Sequence, residues 1–234
     1  MKKMVIFLAV LAMLFVSCSK DDEIFSHDNG LQNGHEYVDL GLPSGTKWAT
    51  MNIGATKPEE YGDYFAWGET DPKSEYGVLS YKYCNGSNTS LTKYCNNRFN
   101  GYNGFTDDNT VLDLEDDAAH DTWIGSWRMP TIVEWEELNN TTNCTWTWTT
   151  LNGVEGYKVQ SKITGYTDNW IFLPAAGNRR ESLLTGASGY GYYWSSSLNA
   201  DAPFNAWRLN FSSSYVHRTS DSRYHGLSIR AVWK

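Results

Sequence analysis

The stretch Gly125-Ser126-Trp127-Arg128-Met129-Pro130-Thr131-Ile132-Val133-Glu134-Trp135-Glu136-Glu137-Leu138 decides how the chain is read. Thr131 stands before an apolar-periodic run and Glu134 follows three residues later, which is a capping box. The Thr hydroxyl accepts from an unpaired amide of the first turn, and the Glu carboxylate reaches back to the Thr amide. Ile132, Trp135 and Leu138 fall at i, i+3 and i+6, so one face of a short helix over 132–139 must be buried. Glu134, Glu136 and Glu137 suit the positive end of its dipole.

Around this helix the chain reads mostly as strands and loops. Upstream, residues 113–123 predict a first short helix with Asp113 as N-cap and Asp116 at N3. Tyr37–Leu40 and Lys47–Ile53, either side of Pro43-Ser44-Gly45, predict a strand pair. Residues 62–68 form an aromatic strand or turn closed by glycines, and 69–110 a polar, Tyr- and Asn-rich loop region without a period. Downstream, Trp146-Thr147-Trp148, 156–159, 170–174, 192–197 and 206–211 predict strands. Leu227, Ile229, Ala231 and Trp233 alternate with Ser228, Arg230 and Val232, predicting a half-buried strand. Two short helices among many short, mostly antiparallel strands make an α+β domain.

The chain begins with Lys2 and Lys3, an apolar run from Met4 to Val16, and Ser17-Cys18. The run is shorter than the ~20 residues of a spanning helix and has the anatomy of an export signal. Phe15-Val16-Ser17-Cys18 resembles a bacterial lipobox, which implies removal of residues 1–17 and lipidation of Cys18. Ser19-Lys20-Asp21-Asp22-Glu23 resembles the acidic surface-export signal of Bacteroidetes lipoproteins, so 18–34 reads as an acidic tether and linker before a domain at 35–234. The expected location is the outer membrane, facing the cell exterior, with the lipid as the one membrane contact. Loss of two lysines takes the formal charge from −8 to −10. An acidic chain without a Lys/Arg cluster argues against nucleic acid as a partner.

Several motifs together resemble the Fibrobacter succinogenes major paralogous domain. They are 37–49 (Tyr37 to Ala49), 61–70 (Tyr61 to Thr70), Trp127-Arg128-Met129-Pro130-Thr131, Phe172-Leu173-Pro174-Ala175-Ala176-Gly177, Tyr193-Trp194-Ser195-Ser196-Ser197 and Ser228-Ile229-Arg230. The likeness runs in order over nearly all of 36–233. It implies a C-type-lectin-like fold related to the domain of formylglycine-generating enzymes. Met51 stands where relatives often carry Cys, which leaves Cys144 without that partner. The Glu-Pro-Asn and Trp-Asn-Asp tripeptides of calcium-dependent lectins are absent, as is a cysteine pair matching the formylglycine-generating site. The fold alone therefore brings no activity with it.

The residues offer three kinds of chemistry. Asp107, Asp108, Asp113, Glu115, Asp116 and Asp117 are clustered carboxylates. Asp113, Glu115, Asp116 and Asp117 are the candidate ligands for calcium, which takes six to eight oxygens; a solvated helix N-terminus explains the same acids. With 11 Trp and 15 Tyr, some aromatic faces could stack on sugar rings. Trp67, Trp146, Trp148 and Trp194 belong to this aromatic set. The candidate ligand-binding residues are Tyr190, Tyr192, Trp207 and Arg208, with the Tyr-rich 76–102 region beside them, whereas Trp48, Trp194 and Trp233 read as core. No nucleophile elbow, HExxH or phosphate loop occurs, and the histidines are scattered singly. A glycosidase would need two placed carboxylates. Cys84 and Cys95 could close a disulfide in an oxidising compartment. Arg128 and Arg230, beside aromatic motifs, predict buried ion pairs or stacking. The expectation is a non-catalytic binding or adhesion module for a glycan or a surface protein, with a structural component of a surface assembly as the alternative and a polysaccharide-active enzyme behind both.

Overall fold

The computed structural model describes residues 29–234; the stretch read as an export signal, Cys18 and the acidic residues after it lie outside these. In chain order the described elements are β1 (Asn29–Gln32), β2 (His35–Val38), β3 (Lys47–Asn52), α1 (Ala118–Trp123), α2 (Ile132–Leu138), β4 (Cys144–Leu151) and β5 (Val154–Ser161). There follow β6 (Trp170–Pro174), β7 (Asn178–Arg180), β8 (Leu183–Thr185), β9 (Tyr190–Leu198), β10 (Asn205–Ser212), β11 (Tyr215–Ser222) and β12 (Arg230–Trp233). They form a sheet β1-β2-β3-β12, two three-stranded sheets β11-β10-β9 and β4-β5-β6, and the hairpin β7-β8. These strands pair antiparallel, so the architecture is α+β. Among the described residues no helix is long and apolar enough to cross a membrane.

The capping box forms as the sequence predicts. Glu134 N–H donates to Thr131 Oγ1 at 3.3 Å, and Thr131 N–H donates to Glu134 Oε2 at 2.8 Å. Arg128 forks onto the same carboxylate, Nη1 at 2.8 Å and Nη2 at 2.6 Å. One side chain thus ends the helix and pairs a charge. Ile132, Trp135 and Leu138 are buried. Trp135 packs its ring 4.6 Å from that of Trp48 and donates its indole N–H to the Trp194 carbonyl at 3.1 Å. Burying side chains of this size stabilises by roughly 2–3 kcal/mol each.

The core has two parts, and the C-terminal strand lies between them. Leu227, Ile229 and Ala231 enter one with Trp67 and Trp127; Val232 enters the other with Trp48 and Trp135. Both faces of this segment are therefore buried, not one as alternation suggested. Arg230 is fully buried and, among the described residues, meets neither a carboxylate nor a Trp face. It donates to Asn52 Oδ1 and to the carbonyls of Ala49, Thr50 and Phe172 at 2.8–3.0 Å. Burial lowers its pKa to about 10, so it stays charged at neutral pH.

Three segments depart from expectation for identifiable reasons, and a fourth, 62–68, takes one of the two forms expected of it. Residues 29–32, read as linker, form β1, because Asn33 (φ 48°) and Gly34 (φ 81°) make a tight turn with both centres left-handed. The region 113–123 is not one helix. A short 3₁₀ turn at Leu114–Asp116 comes first, the backbone is extended at Asp117, and Asp117 caps α1. Residues 62–68, expected as a strand or turn, carry no strand: they turn at Trp67–Gly68 and form one isolated bridge, Phe65 to Leu227. The 69–110 region is irregular but packed: Tyr76, Tyr81, Tyr83 and Tyr94 are core residues, and Tyr102 is the exposed tyrosine between 76 and 102. Most of that segment's tyrosines therefore cannot be sugar platforms.

Candidate functional site

The acidic cluster divides. Asp117 is buried and accepts from the amides of Ala119, His120 and Met129 at 2.8–3.1 Å, which makes it a cap and not a ligand. Asp113, Glu115 and Asp116 do converge, with carboxylate oxygens within 4.8 Å of one another. The ammonium of Lys93 already sits among them, 2.9 Å from Asp113, 3.1 Å from Glu115 and 2.6 Å from Asp116. Asp116 also accepts from the hydroxyls of Tyr83 and Tyr94. A calcium ion would have to displace Lys93, so the arrangement works as a clamp on that lysine.

The cysteine pairing is not formed. The thiol of Cys84 donates to the Val78 carbonyl and that of Cys95 to the Asn97 carbonyl, and Cys144 is free as well. Burial pushes the Cys144 thiol up to about 12, which keeps it protonated.

The ligand-binding candidates fall on the β11-β10-β9 sheet, and register separates them. Ser212 pairs with Tyr190 and Tyr215, and Asn210 with Tyr192 and His217. Side chains alternate along a strand, so Tyr190, Tyr192, Arg208, Asn210, Tyr215, His217 and Asp221 share one face. Trp207 points to the other, packing against the core that holds Leu209 and Phe211 with Arg218 over its ring at 5.0 Å. Trp207 therefore leaves the candidate set.

On the remaining face the Tyr190 and Tyr192 rings lie parallel within 3°, their centroids 6.1 Å apart. Tyr190 is exposed and Tyr192 half-buried. The Arg208 guanidinium sits 4.3 Å from the Tyr192 ring centre and 3.3 Å from Asp221. Asp221 accepts from His225 Nδ1 and the Ser222 amide, and Arg180 reaches to 3.9 Å of it. Burial pushes the Asp221 carboxyl up, but His225 and Arg208 outweigh it and hold it below the usual range. Beneath the tyrosines, Arg208 Nε and Nη1 and Asn210 Oδ1 are buried without a hydrogen-bond partner among the described residues. Orphaned polar atoms of this kind each cost about 1–3 kcal/mol, and they concentrate unused hydrogen-bonding capacity under an aromatic surface.

Sequence reasoning placed Tyr190, Tyr192 and Arg208 but missed Asn210, Tyr215, His217 and Asp221. The signal was present: Ala206, Arg208, Asn210 and Ser212, then Tyr215, His217, Thr219 and Asp221, recur at period two on either side of Ser213-Ser214. Comparison of the chain with family models, with curated proteins and with solved structures gave no match in any of the three.

Proposed function

We infer that this chain is a surface lipoprotein whose C-type-lectin-like domain is a non-catalytic glycan-binding module, with the Tyr190–Tyr192 face as its binding surface. The observation that carries the reading is the pair of parallel tyrosine rings beside a partly unsatisfied Arg208–Asn210 group. Flat apolar faces suit the axial C–H surface of a sugar, and neighbouring donors and acceptors suit its hydroxyls. The motif resemblance and the lipobox-like Cys18 support the fold and location. The residues that register places on this face include one carboxylate, Asp221, already bound to Arg208 and His225, whereas glycoside hydrolysis by the usual route uses two.

A second reading, a protein partner, is favoured by β11. Among the described residues it pairs with β10 alone, so its outer edge offers backbone groups for strand addition.

The test is a glycan array probed with the full-length chain, with and without a calcium chelator. Binding to a subset of glycans is expected, weakened about tenfold or more in Tyr190→Ala and in Tyr192→Ala, a loss near 1.4 kcal/mol. A blank array, or binding that both variants retain, overturns the glycan reading and moves the search to protein partners.

A further inference from the structure

Strand β7 presents two consecutive arginines to opposite sides, as alternation requires. Arg180 reaches towards Asp221 on the tyrosine face. Arg179 lines a separate cleft of about 620 Å³, walled also by Asp63, Tyr64, Lys73, Ser74 and Tyr76. That volume is in the range of small-molecule sites.

Arg179 is set apart from the other buried and half-buried arginines. Arg128, Arg208, Arg223 and Arg230, all buried or half-buried, are held by a carboxylate or by carbonyls. Half-buried Arg179 has no ion pair and no side-chain hydrogen bond among the described residues. It is nonetheless fixed in place. Its amide donates to the Gly226 carbonyl at 2.7 Å, and its own carbonyl accepts from the Gly226 amide at 2.9 Å. Its guanidinium lies 5.3 Å from the centre of the Tyr64 ring. Tyr64 is held in turn, its hydroxyl donating to the Ala176 carbonyl and its carbonyl accepting from Tyr76 Oη. A guanidinium over a locked ring, facing an open cleft, is a fork of donors awaiting an acceptor.

The rest of the wall narrows the ligand. Lys73 is neutralised by Glu69 at 2.7 Å. Asp63 remains as a carboxylate acceptor, and Ser74 adds a hydroxyl. A dianion would meet the Asp63 carboxylate with one uncompensated cation, Arg179, to receive it. A monoanionic carboxylate fits the fork bidentately, and hydroxyls on the same ligand can donate to Asp63.

We propose that this cleft binds a hydroxylated carboxylic acid of monosaccharide size, with Arg179 receiving the carboxylate and Asp63 a hydroxyl. The site is distinct from the tyrosine face and does not depend on the glycan reading. Such a carboxylate could be a uronic acid unit of a glycan or a free sugar acid.

The test is titration of the full-length chain with glucuronate, methyl glucuronoside, the methyl ester of that glucuronoside, glucose and inorganic phosphate. Heat is measured, together with side-chain ¹⁵N–¹H signals of the arginines. Glucuronate or its methyl glycoside should bind at least tenfold tighter than the ester, glucose and phosphate, and should shift the Arg179 Nε–H signal. Preference for the glycoside assigns the ligand to glycans, and preference for the free acid to soluble sugar acids. Arg179→Gln should weaken binding at least tenfold, and Arg179→Lys, which keeps the charge but not the fork, by less. The Nε–H readout on the unaltered chain stands even if a variant folds poorly. Equal affinity for acid and ester, tightest binding of phosphate, an unmoved Arg179 signal, or no binding at all overturns the proposal.

Discussion

Arg223 and Trp67 stack inside the larger core, the guanidinium carbon 4.9 Å from the ring centre, and Arg223 makes no ion pair there. Its donors go to Tyr81 Oη and to the carbonyls of Lys93, Tyr94 and Pro203 at 2.8–3.1 Å. Three of these four partners belong to the irregular 69–110 region, so one buried cation replaces the sheet bonds this region lacks. Arg223→Lys keeps the charge but cannot span the four acceptors. It should destabilise the protein by about 3 kcal/mol, read as a lower denaturation midpoint, and should expose residues 76–102 to limited proteolysis. An unchanged cleavage pattern would show that the region is held by its tyrosines alone.

Arg128 and Glu134 tie the helix cap to the strand bridge at Val232. Arg128→Ala leaves a largely buried carboxylate with its Thr131 contacts but without its cation, and should cost about 2–3 kcal/mol. Glu134→Gln loses charge and keeps one acceptor for the Thr131 amide, so it should cost less. Urea unfolding of both variants checks the order, and a larger loss in Glu134→Gln would contradict it.

The pH profile should have two limbs. Burial pushes the Glu134 carboxyl up, but Arg128 and Thr131 outweigh it and hold it below 4.5. Burial acts likewise on Asp116, where Lys93 and the hydroxyls of Tyr83 and Tyr94 hold it below 3.8. Stability from a depressed carboxylate is complete above its unfolded value and is lost as pH falls through the folded one. Asp117 runs the other way, pushed up to about 6 by burial despite its amide donors. Its contribution is complete below its unfolded 3.8 and is lost as pH rises through about 6. Denaturation midpoints from pH 3 to 7 should therefore peak at mildly acidic pH. Glu134→Gln should flatten the acid limb, and Asp117→Ser, which can still cap α1, the neutral one; variants that keep the parent slopes would break the assignment.

Gly191 leaves no space for a side chain. A β-carbon there would lie 2.0 Å from Phe211 Cζ, and Phe211 is fully buried against Tyr157 and Tyr193. Gly191→Ala should cost about 2 kcal/mol through forced repacking and disturb the adjacent Tyr190 and Tyr192. Thermal unfolding measures the first effect, and tyrosine near-UV circular dichroism the second.

What could be read beforehand follows from how each element is specified. Thr131 and Glu134 state their helix in a four-residue code, and Trp48 or Trp135 needs a core wherever it stands. Strand β11 was missed because it is half-exposed along both faces, so its alternation is polar throughout. The strand β1 was missed through Asn33-Gly34, a turn signal in a segment read as linker. Arg230 could be placed in the core from its neighbours, but not given its carbonyl partners, which come from residues 49, 50 and 172. Tyrosines 81, 83 and 94 carry no period because they are held by contacts to Arg223 and Asp116, distant in sequence. The Tyr190 face was legible in part, since β9 and β10 were read but their common face depends on register.

Asn29 is already paired with Val38 in the first sheet. If Cys18 carries the lipid, residues 18–28 are all that separates the bilayer from the folded domain. Eleven residues fully extended reach about 40 Å at most, against about 60 Å for a leash running to residue 34. The domain is then confined to a thin shell above its own membrane, and its ligands must be molecules that penetrate or belong to that shell.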